Sequence, residues 1–123
     1  MLIRGGTSSV GLATAELAKH YGLQVYSTTR SSIKAEKLAA LIGGKEHVII
    51  DNGKVGEEVL RRTNGHGVDH CVELVGGQES LKDSARALKD DGKMCMVGIL
   101  SETPATVYGN KILTVNRWRM GVS

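Results

Sequence analysis

A glycine-rich turn near the start of the chain constrains the fold more than any other feature. Apolar Leu2 and Ile3 indicate the end of a short buried strand, and a helical pattern begins directly after the turn. The spacing Gly6-x-Ser8-x-x-Gly11 matches the fingerprint G-x-G-x-x-G, with a serine, whose hydroxyl can donate to a phosphate, at the second glycine. Free N–H groups and the helix dipole favour an anion above such a turn. The stretch therefore predicts a phosphate site, although a glycine-rich turn without a ligand has the same pattern.

Length and composition narrow the class of protein. A chain of 123 residues suits one domain with one hydrophobic core. The net charge is +3, and the basic residues are spread along the chain without aromatic interleaving, so no nucleic-acid partner is predicted. Apolar runs are too short for a transmembrane or signal segment, so no membrane partner is predicted. Cys71 and Cys95 lie in apolar strand-like runs, and we expect buried, reduced thiols, as in a cytoplasmic protein.

Strand and helix patterns alternate along the chain. Six strands are predicted near residues 2–3, 24–29, 47–50, 68–75, 93–97 and 111–118. The pattern of the first helix turns Ala13, Leu17, Ala18 and Tyr21 toward the core. A turn at residues 90–92 is predicted to separate the fourth helix from the fifth strand. Apolar strands joined by helices indicate a parallel sheet. The predicted fold class is α/β, a Rossmann doubly wound sheet in the order 3-2-1-4-5-6 with helices on both faces.

Three segments carry a resemblance to a known family. They are LIRGGTSSVGLATAELAKHYGLQVYSTTRS, GVDHCVELVGG and GKMCMVGIL. The chain resembles the cofactor domain of medium-chain dehydrogenase/reductases over about residues 2–118, and is most similar to the zinc-independent quinone oxidoreductase branch. Some members of that branch are described as zinc-binding alcohol dehydrogenases. The resemblance implies a separate catalytic domain, so residues 1–123 are expected to be one dinucleotide-binding domain of a longer enzyme, with negligible reductase activity alone.

The resemblance also implies which residues contact an NADP(H) cofactor. The turn would hold the pyrophosphate, the end of the second strand would surround the adenosine ribose and its 2′-phosphate, and Asp51 would lie beside the adenine. Two later segments would line the crevice and approach the nicotinamide. The implied cofactor-binding residues are Gly6, Thr7, Ser8, Ser9, Val10, Thr29, Arg30, Ser31, Lys34, Asp51, Leu74, Val75, Gly76, Val97, Gly98, Ile99 and Leu100. No catalytic residue is predicted, because the cofactor carries the hydride chemistry.

The end of the second strand favours NADPH over NADH. An NAD-binding domain places Asp or Glu there, about 20 residues beyond the glycine turn, to bind the ribose hydroxyls. Here the chain reads Thr28-Thr29-Arg30-Ser31 with Lys34 nearby, and no carboxylate precedes Glu36. The planar guanidinium of Arg30 matches a phosphate. The alternative is that Arg30 and Lys34 are solvated surface cations.

Two other groups of residues are candidates for sites. His66, His70 and Cys71 suggest a metal, but adjacent strand residues such as His70 and Cys71 point to opposite faces, so no metal site is predicted. Glu73, near the end of a central strand, is a candidate catalytic acid. We favour the alternative that its carboxylate accepts hydrogen bonds from neighbouring loop N–H groups.

Two functional classes fit these residues, and a third fits them poorly. The first is an NADPH-dependent oxidoreductase that transfers hydride to a small-molecule quinone, enone or related carbonyl substrate. The second is a non-catalytic dinucleotide-binding or structural protein, like the family relatives that serve as lens crystallins. The third is a methyltransferase, which would require an acidic residue where Thr29 and Arg30 stand. Residues 111–115 are expected to form a sheet edge, and the resemblance implies a homodimer through this strand.

Overall fold

The computed structural model describes residues 1–97, 107–108 and 111–115. In chain order, the elements are β1 (Leu2–Arg4), α1 (Ser9–His20), β2 (Tyr26–Thr29), α2 (Ser32–Ile42), a 3-10 helix (Lys45–His47), β3 (Val48–Ile50), α3 (Val55–Arg62), β4 (Val68–Glu73), α4 (Gln78–Ala87), β5 (Leu88–Met96), β6 (Val107–Tyr108) and β7 (Lys111–Val115). Among these residues, no helix combines the length and the apolar character that crossing a bilayer requires.

The described strands form one sheet in the order β3-β2-β1-β4-β5-β7-β6. Neighbouring strands from β3 to β7 are parallel, and β6 is antiparallel to β7. The α/β class and the order 3-2-1-4-5 are confirmed, and the predicted sixth strand, β7, lies next to β5. The pattern does not predict β6, because two residues are too few to show a period. Since β6 pairs with Lys111 and Ile112, these residues are not the free sheet edge that was expected.

Two apolar clusters cover the two faces of the sheet. Ile3 packs with α1 and α2 on one face, and Leu2 packs with α3 and α4 on the other. Both side chains are fully buried, because successive strand residues point to opposite faces and each face carries a helix layer. Helices on both faces of the sheet are therefore confirmed.

The side of α1 that packs on the sheet differs from the predicted side. The buried residues of α1 are Gly11, Ala15 and Ala18, whereas Leu17 and Tyr21 are 58% and 72% exposed. The core-facing stripe consists of the smallest residues of the helix, which allows α1 to lie close to the strands. The inward orientation predicted for Ala13, Leu17 and Tyr21 is wrong, because all three are exposed, and that of Ala18 is confirmed.

The fifth strand begins five residues earlier than predicted. Val68 of β4 pairs with Leu88, but His70 pairs with Lys93, so β5 contains an irregularity that inserts extra residues. Asp91 within it has a φ of 65°, a left-handed conformation typical of tight bends. The predicted turn at residues 90–92 thus lies inside the strand pairing and not before it.

Cys71 and Cys95 differ in their surroundings, although both are free thiols. Cys71 is buried in the cluster under α3 and α4, and burial raises the pKa of its thiol. Cys95 is exposed because it alternates with Met94 and Met96, which point into that cluster. The expectation of burial is confirmed for Cys71 and wrong for Cys95.

The first turn of α1 passes directly over the glycine turn. A Cβ on Gly11 would lie 2.6 Å from the carbonyl oxygen of Gly5 and 2.9 Å from the Cα of Gly6. A Cβ on Gly6 would overlap the hydroxyl of Ser27 on β2. Lack of space therefore favours glycine at both fingerprint positions. The restriction is stricter at Gly11, because the obstacles there are backbone atoms.

Gly11→Ala is expected to destabilise the fold by about 1–3 kcal/mol, because the added methyl overlaps backbone that cannot move without separating α1 from the turn. The control is Ala13→Gly at an exposed position of α1, where helix propensity alone costs about 0.5–1 kcal/mol. Propensity alone predicts that Gly11→Ala stabilises the protein. Urea unfolding measures both variants, and a Gly11→Ala protein as stable as the original would contradict the steric explanation.

Candidate functional site

Hydrogen bonds to β2 hold the turn between β1 and α1. The N–H of Gly5 donates to Oγ1 of Thr28 at 3.0 Å, and the N–H of Gly6 donates to the Thr28 carbonyl at 2.8 Å. Gly5 has a φ of 91°, which residues with a Cβ rarely adopt. The two hydrogen bonds to Thr28 therefore hold the turn against β2.

Ser8 is the N-cap of α1 and not a free donor. Its Oγ accepts a hydrogen bond from the N–H of Gly11 and donates to the carbonyl of Gly5, both at 3.0 Å. A hydroxyl has one hydrogen, so this arrangement does not allow the Ser8 donation to phosphate that the sequence suggested. Within the described part of the chain, nothing accepts a hydrogen bond from the N–H groups of Thr7, Ser9 and Val10. These three donors, with the helix dipole, favour an anion above the turn.

A groove opens beside the turn at the carboxyl ends of the strands. Its inner chamber, of about 290 Å³, is lined by Gly5, Thr7, Thr28, Thr29, Arg30, Asp51 and Val75. Its outer chamber, of about 490 Å³, lies between the loop after β3 and the exposed side of α4, and shares Arg30, Asp51 and Val75 with the inner one. The groove lies where the strand order reverses between β1 and β4, which is the predicted crevice.

A buried ionic network forms the floor of the outer chamber. Nε and Nη2 of Arg4 donate to the two carboxylate oxygens of Asp51 at 2.9 and 3.0 Å. Nη1 of Arg4 lies 2.8 Å from Oδ2 of Asp83, whose oxygens also accept from the N–H groups of Val55 and Gly56. The Arg4 side chain is 3% exposed. One guanidinium therefore joins the end of β1 to the loop after β3 and to α4, and Asp83 joins α4 to the start of α3.

Glu73, at the end of β4, has the structural role that we favoured. Its Oε1 accepts from the N–H groups of Val75 and Gly76, both at 3.1 Å, and from Oγ of Ser80 at 2.8 Å. Its Oε2 accepts from Oγ of Ser84 at 2.5 Å. Internal donors occupy both oxygens of this fully buried carboxylate, so Glu73 shapes the loop after β4 instead of facing a substrate.

Asp51 lines both chambers, but its carboxylate is engaged with Arg4. Burial by itself would raise the pKa of Asp51; the hydrogen bonds from Arg4 and the Gly53 N–H, with the charges of Arg4 and Arg30, outweigh it and lower the pKa below 3.8. The side chain is only 6% exposed. A place beside the adenine stays a prediction for Asp51, and the observed function of its carboxylate is to bind Arg4.

Of the four residues predicted around the ribose phosphate, two line the groove and two do not. Thr29 and Arg30 line the inner chamber. Ser31 is the N-cap of α2, where its Oγ accepts from the N–H of Lys34 at 3.2 Å, and neither of these two residues lines a chamber. Arg30 is therefore the cation of this segment that faces the groove.

The remaining predicted contacts have mixed positions. Val75 lines both chambers, whereas Leu74 packs against the cluster under α1 and α2. Gly76 is buried, and the N–H of Val97 donates to the Glu73 carbonyl just after β5. Gly98, Ile99 and Leu100 lie outside the described residues.

Sequence reasoning missed Arg4, Asp83 and the part that α4 takes in the groove. The available signal was an arginine at the end of an apolar strand, because a buried guanidinium requires acidic partners. No local spacing identifies those partners, since Asp51 lies 47 residues away along the chain. The α4 residues that line the outer chamber are Glu79, Ser80, Lys82, Asp83 and Arg86.

Comparison with known families identifies the chain. The sequence profile described as zinc-binding dehydrogenase matches residues 9–122. The chain belongs to the zinc-binding dehydrogenase family. This confirms the resemblance to the cofactor domain of medium-chain dehydrogenase/reductases.

Individual members of the family are similar over most of this chain. The (R,R)-butanediol dehydrogenase of Neisseria gonorrhoeae is 36% identical over 111 residues, which are 89% of this chain and 30% of that protein. Quinone oxidoreductase-like protein 2 of Rattus norvegicus is 26% identical over 122 residues, 99% of this chain and 35% of that protein. The squalestatin tetraketide synthase of Cochliobolus lunatus is 30% identical over 80% of this chain and 4% of its own length. The chain thus spans about a third or less of these relatives.

A solved structure with a bound cofactor has the same fold. The mycobacterial protein Rv1454c, complexed with NADPH, superposes with a TM-score of 0.75 at 26% identity, covering 93% of this chain and 38% of that one.

The family description names zinc, but the described residues do not fit a zinc ion. In the described ranges, no three His, Cys, Asp or Glu side chains are grouped as metal ligands. Cys71 is buried in the cluster under α3 and α4, and Nδ1 of His66 lies 2.8 Å from the Thr63 carbonyl.

Asp51→Asn is expected to destabilise the fold by about 1.5–3 kcal/mol at pH 7, the range for hydrogen bonds to charged groups. Because the folded-state pKa of Asp51 is lowered, its contribution is complete above the ordinary pKa of 3.8 and disappears as the pH falls through the folded-state value. The stability difference between the original and the variant should therefore shrink below about pH 4. Urea unfolding from pH 7 to pH 3 measures it, with exposed Glu16→Gln as control. A difference that is independent of pH would contradict the assigned ion pair.

Proposed function

We propose that the chain is the NADP(H)-binding domain of an oxidoreductase that transfers hydride to a quinone, enone or related carbonyl substrate. The observation that carries the proposal is a groove with unpaired backbone donors at the N-terminus of α1 and the guanidinium of Arg30 lining its inner chamber. Membership of a dehydrogenase family supports it, as do relatives named butanediol dehydrogenase and quinone oxidoreductase-like protein. The NADPH complex of a protein with this fold supports the choice of cofactor class.

Residues of this chain bind and orient the cofactor in this proposal. The N–H groups of Thr7, Ser9 and Val10 hold the pyrophosphate, and the inner chamber receives the adenosine ribose. Val75 offers an apolar surface at the junction of the two chambers. When bound, the nicotinamide supplies the hydride, and the protein supplies position and electrostatics.

The preference for NADPH rests on Arg30. Its side chain is exposed at the end of β2 and lines both chambers. Thr29, which precedes it, is neutral and buried, so the end of β2 offers no carboxylate to bind the ribose hydroxyls of NADH or to repel a 2′-phosphate. Arg30 can bind such a phosphate through two parallel hydrogen bonds.

Three further expectations accompany this proposal. The chain is one domain of a longer enzyme, the protein forms a homodimer and it acts in the cytoplasm. A non-catalytic dinucleotide-binding protein would have the same groove, and assay of hydride transfer by the parent protein separates the two functions.

Arg30→Ala is expected to weaken NADPH binding by about 1.5–3 kcal/mol, the range for charge-assisted hydrogen bonds, and to leave NADH binding nearly unchanged. The matched control is Lys34→Ala, a nearby exposed cation that lines neither chamber, for which a loss below about 0.5 kcal/mol is expected. Calorimetric titration of both cofactors against the three proteins measures these values. Equal losses for NADPH and NADH, or an original chain that prefers NADH, would contradict the proposal.

A further inference from the structure

Asp51 and Arg30 have opposite charges and face the same space. Both residues line the inner and the outer chamber, and among the described residues Asp51 is the one acid in the lining of the inner chamber. The charge of Arg30 contributes to the lowered pKa of Asp51, so the two side chains interact electrostatically. If Arg4 did not bind the Asp51 carboxylate, that carboxylate would therefore compete with a phosphate ligand for the guanidinium of Arg30.

Arg4 prevents that competition in the structure. It binds both oxygens of Asp51 at 2.9 and 3.0 Å, and the N–H of Gly53 adds a third hydrogen bond at 3.0 Å. Across the described part of the chain, no side chain forms an ion pair or hydrogen bond with the guanidinium of Arg30. Asp51 is thus paired with Arg4 beneath the groove, and Arg30 keeps its donors for a ligand.

We propose that Arg4 determines cofactor specificity from beneath the groove, by holding Asp51 so that Arg30 stays available for a phosphate on the adenosine ribose. Arg4 is a positioning residue in this role, since it acts through Asp51. The inference rests on the proposed function and adds to it a residue that the sequence pattern of cofactor contacts does not include.

The physical reason is the balance of charge around Arg30. One guanidinium is shared between the carboxylates of Asp51 and Asp83, so loss of Arg4 adds one net negative charge next to the junction of the two chambers. That charge attracts Arg30 and repels a dianionic phosphate, and both effects weaken NADPH binding without a comparable effect on NADH. A structural role alone would change the affinities for both cofactors by the same factor.

The test compares the ratio of dissociation constants for NADH and NADPH, measured by calorimetry in low-salt buffer. Arg4→Met is expected to lower this ratio about five- to tenfold, as expected for one unscreened charge near a partly exposed site. Adding Asp51→Asn to Arg4→Met removes the freed charge, and the double variant should return to within about twofold of the original ratio. Glu16→Gln, a charge change on an exposed position of α1, is the control and should leave the ratio unchanged.

A milder variant covers the case in which Arg4→Met does not fold. Lysine keeps the charge but cannot bind both oxygens of Asp51, so Arg4→Lys is expected to lower the ratio about two- to threefold. Circular dichroism verifies the fold of each variant. Adenosine 2′,5′-bisphosphate and adenosine 5′-phosphate serve as a second pair of probes, which lack the nicotinamide and report on the adenosine end alone.

The outcomes separate this inference from the proposed function. An original chain that prefers NADPH, with a ratio that the Arg4 variants leave unchanged, overturns the inference and leaves the proposed function intact. A double variant that stays as impaired as Arg4→Met also overturns it, because the freed Asp51 charge would then not be the cause. An original chain without preference for NADPH overturns the proposed function and the inference together.

Discussion

The buried ion pairs of Arg4 are the interaction on which the groove depends. A guanidinium with 3% exposure is tolerable only when carboxylates and hydrogen-bond acceptors surround it, and Asp51 and Asp83 provide them. Since these residues lie on β1, after β3 and on α4, satisfying one charge sets the relative positions of three segments. Glu73 fixes the loop after β4 in a similar way, because its carboxylate accepts hydrogen bonds from four internal donors. The walls of the groove are therefore held by buried polar contacts and not by apolar packing alone.

Backbone and side-chain groups have separate tasks in this site. Packing at Gly6 and Gly11 brings α1 close to the strands, and Ser8 caps the helix. The N–H groups of Thr7, Ser9 and Val10 have no acceptor among the described residues. Arg30 adds a side-chain cation on the other side of the inner chamber. A phosphate-rich ligand suits this arrangement, because the donors are preorganised and Asp51, the described carboxylate that lines the inner chamber, is paired with Arg4.

Patterns within one element were the most predictable features. The strand and helix alternation, the fingerprint glycines and the role of Glu73 follow from short stretches of chain. Predictions of burial were wrong where a neighbouring element decides which side of a helix or strand is covered. The helix α1 packs with its small residues inward, and Cys95 faces away from α3 and α4. Arg30 and Lys34 have the same charge and lie close in sequence, but of the two only Arg30 lines the groove.

The sequence by itself determined the fold class, the strand order through β5 and the place of the glycine-rich turn. Hydrophobic period, glycine positions and the handedness of crossover connections act locally, so they can be read from a stretch of residues. Only the tertiary structure decided that Asp51 binds Arg4, that α4 lines the outer chamber and that Arg30, and not Lys34, lines the groove. These outcomes depend on contacts between residues far apart in the chain, where the cost of leaving a buried charge unpaired selects partners that no local spacing marks.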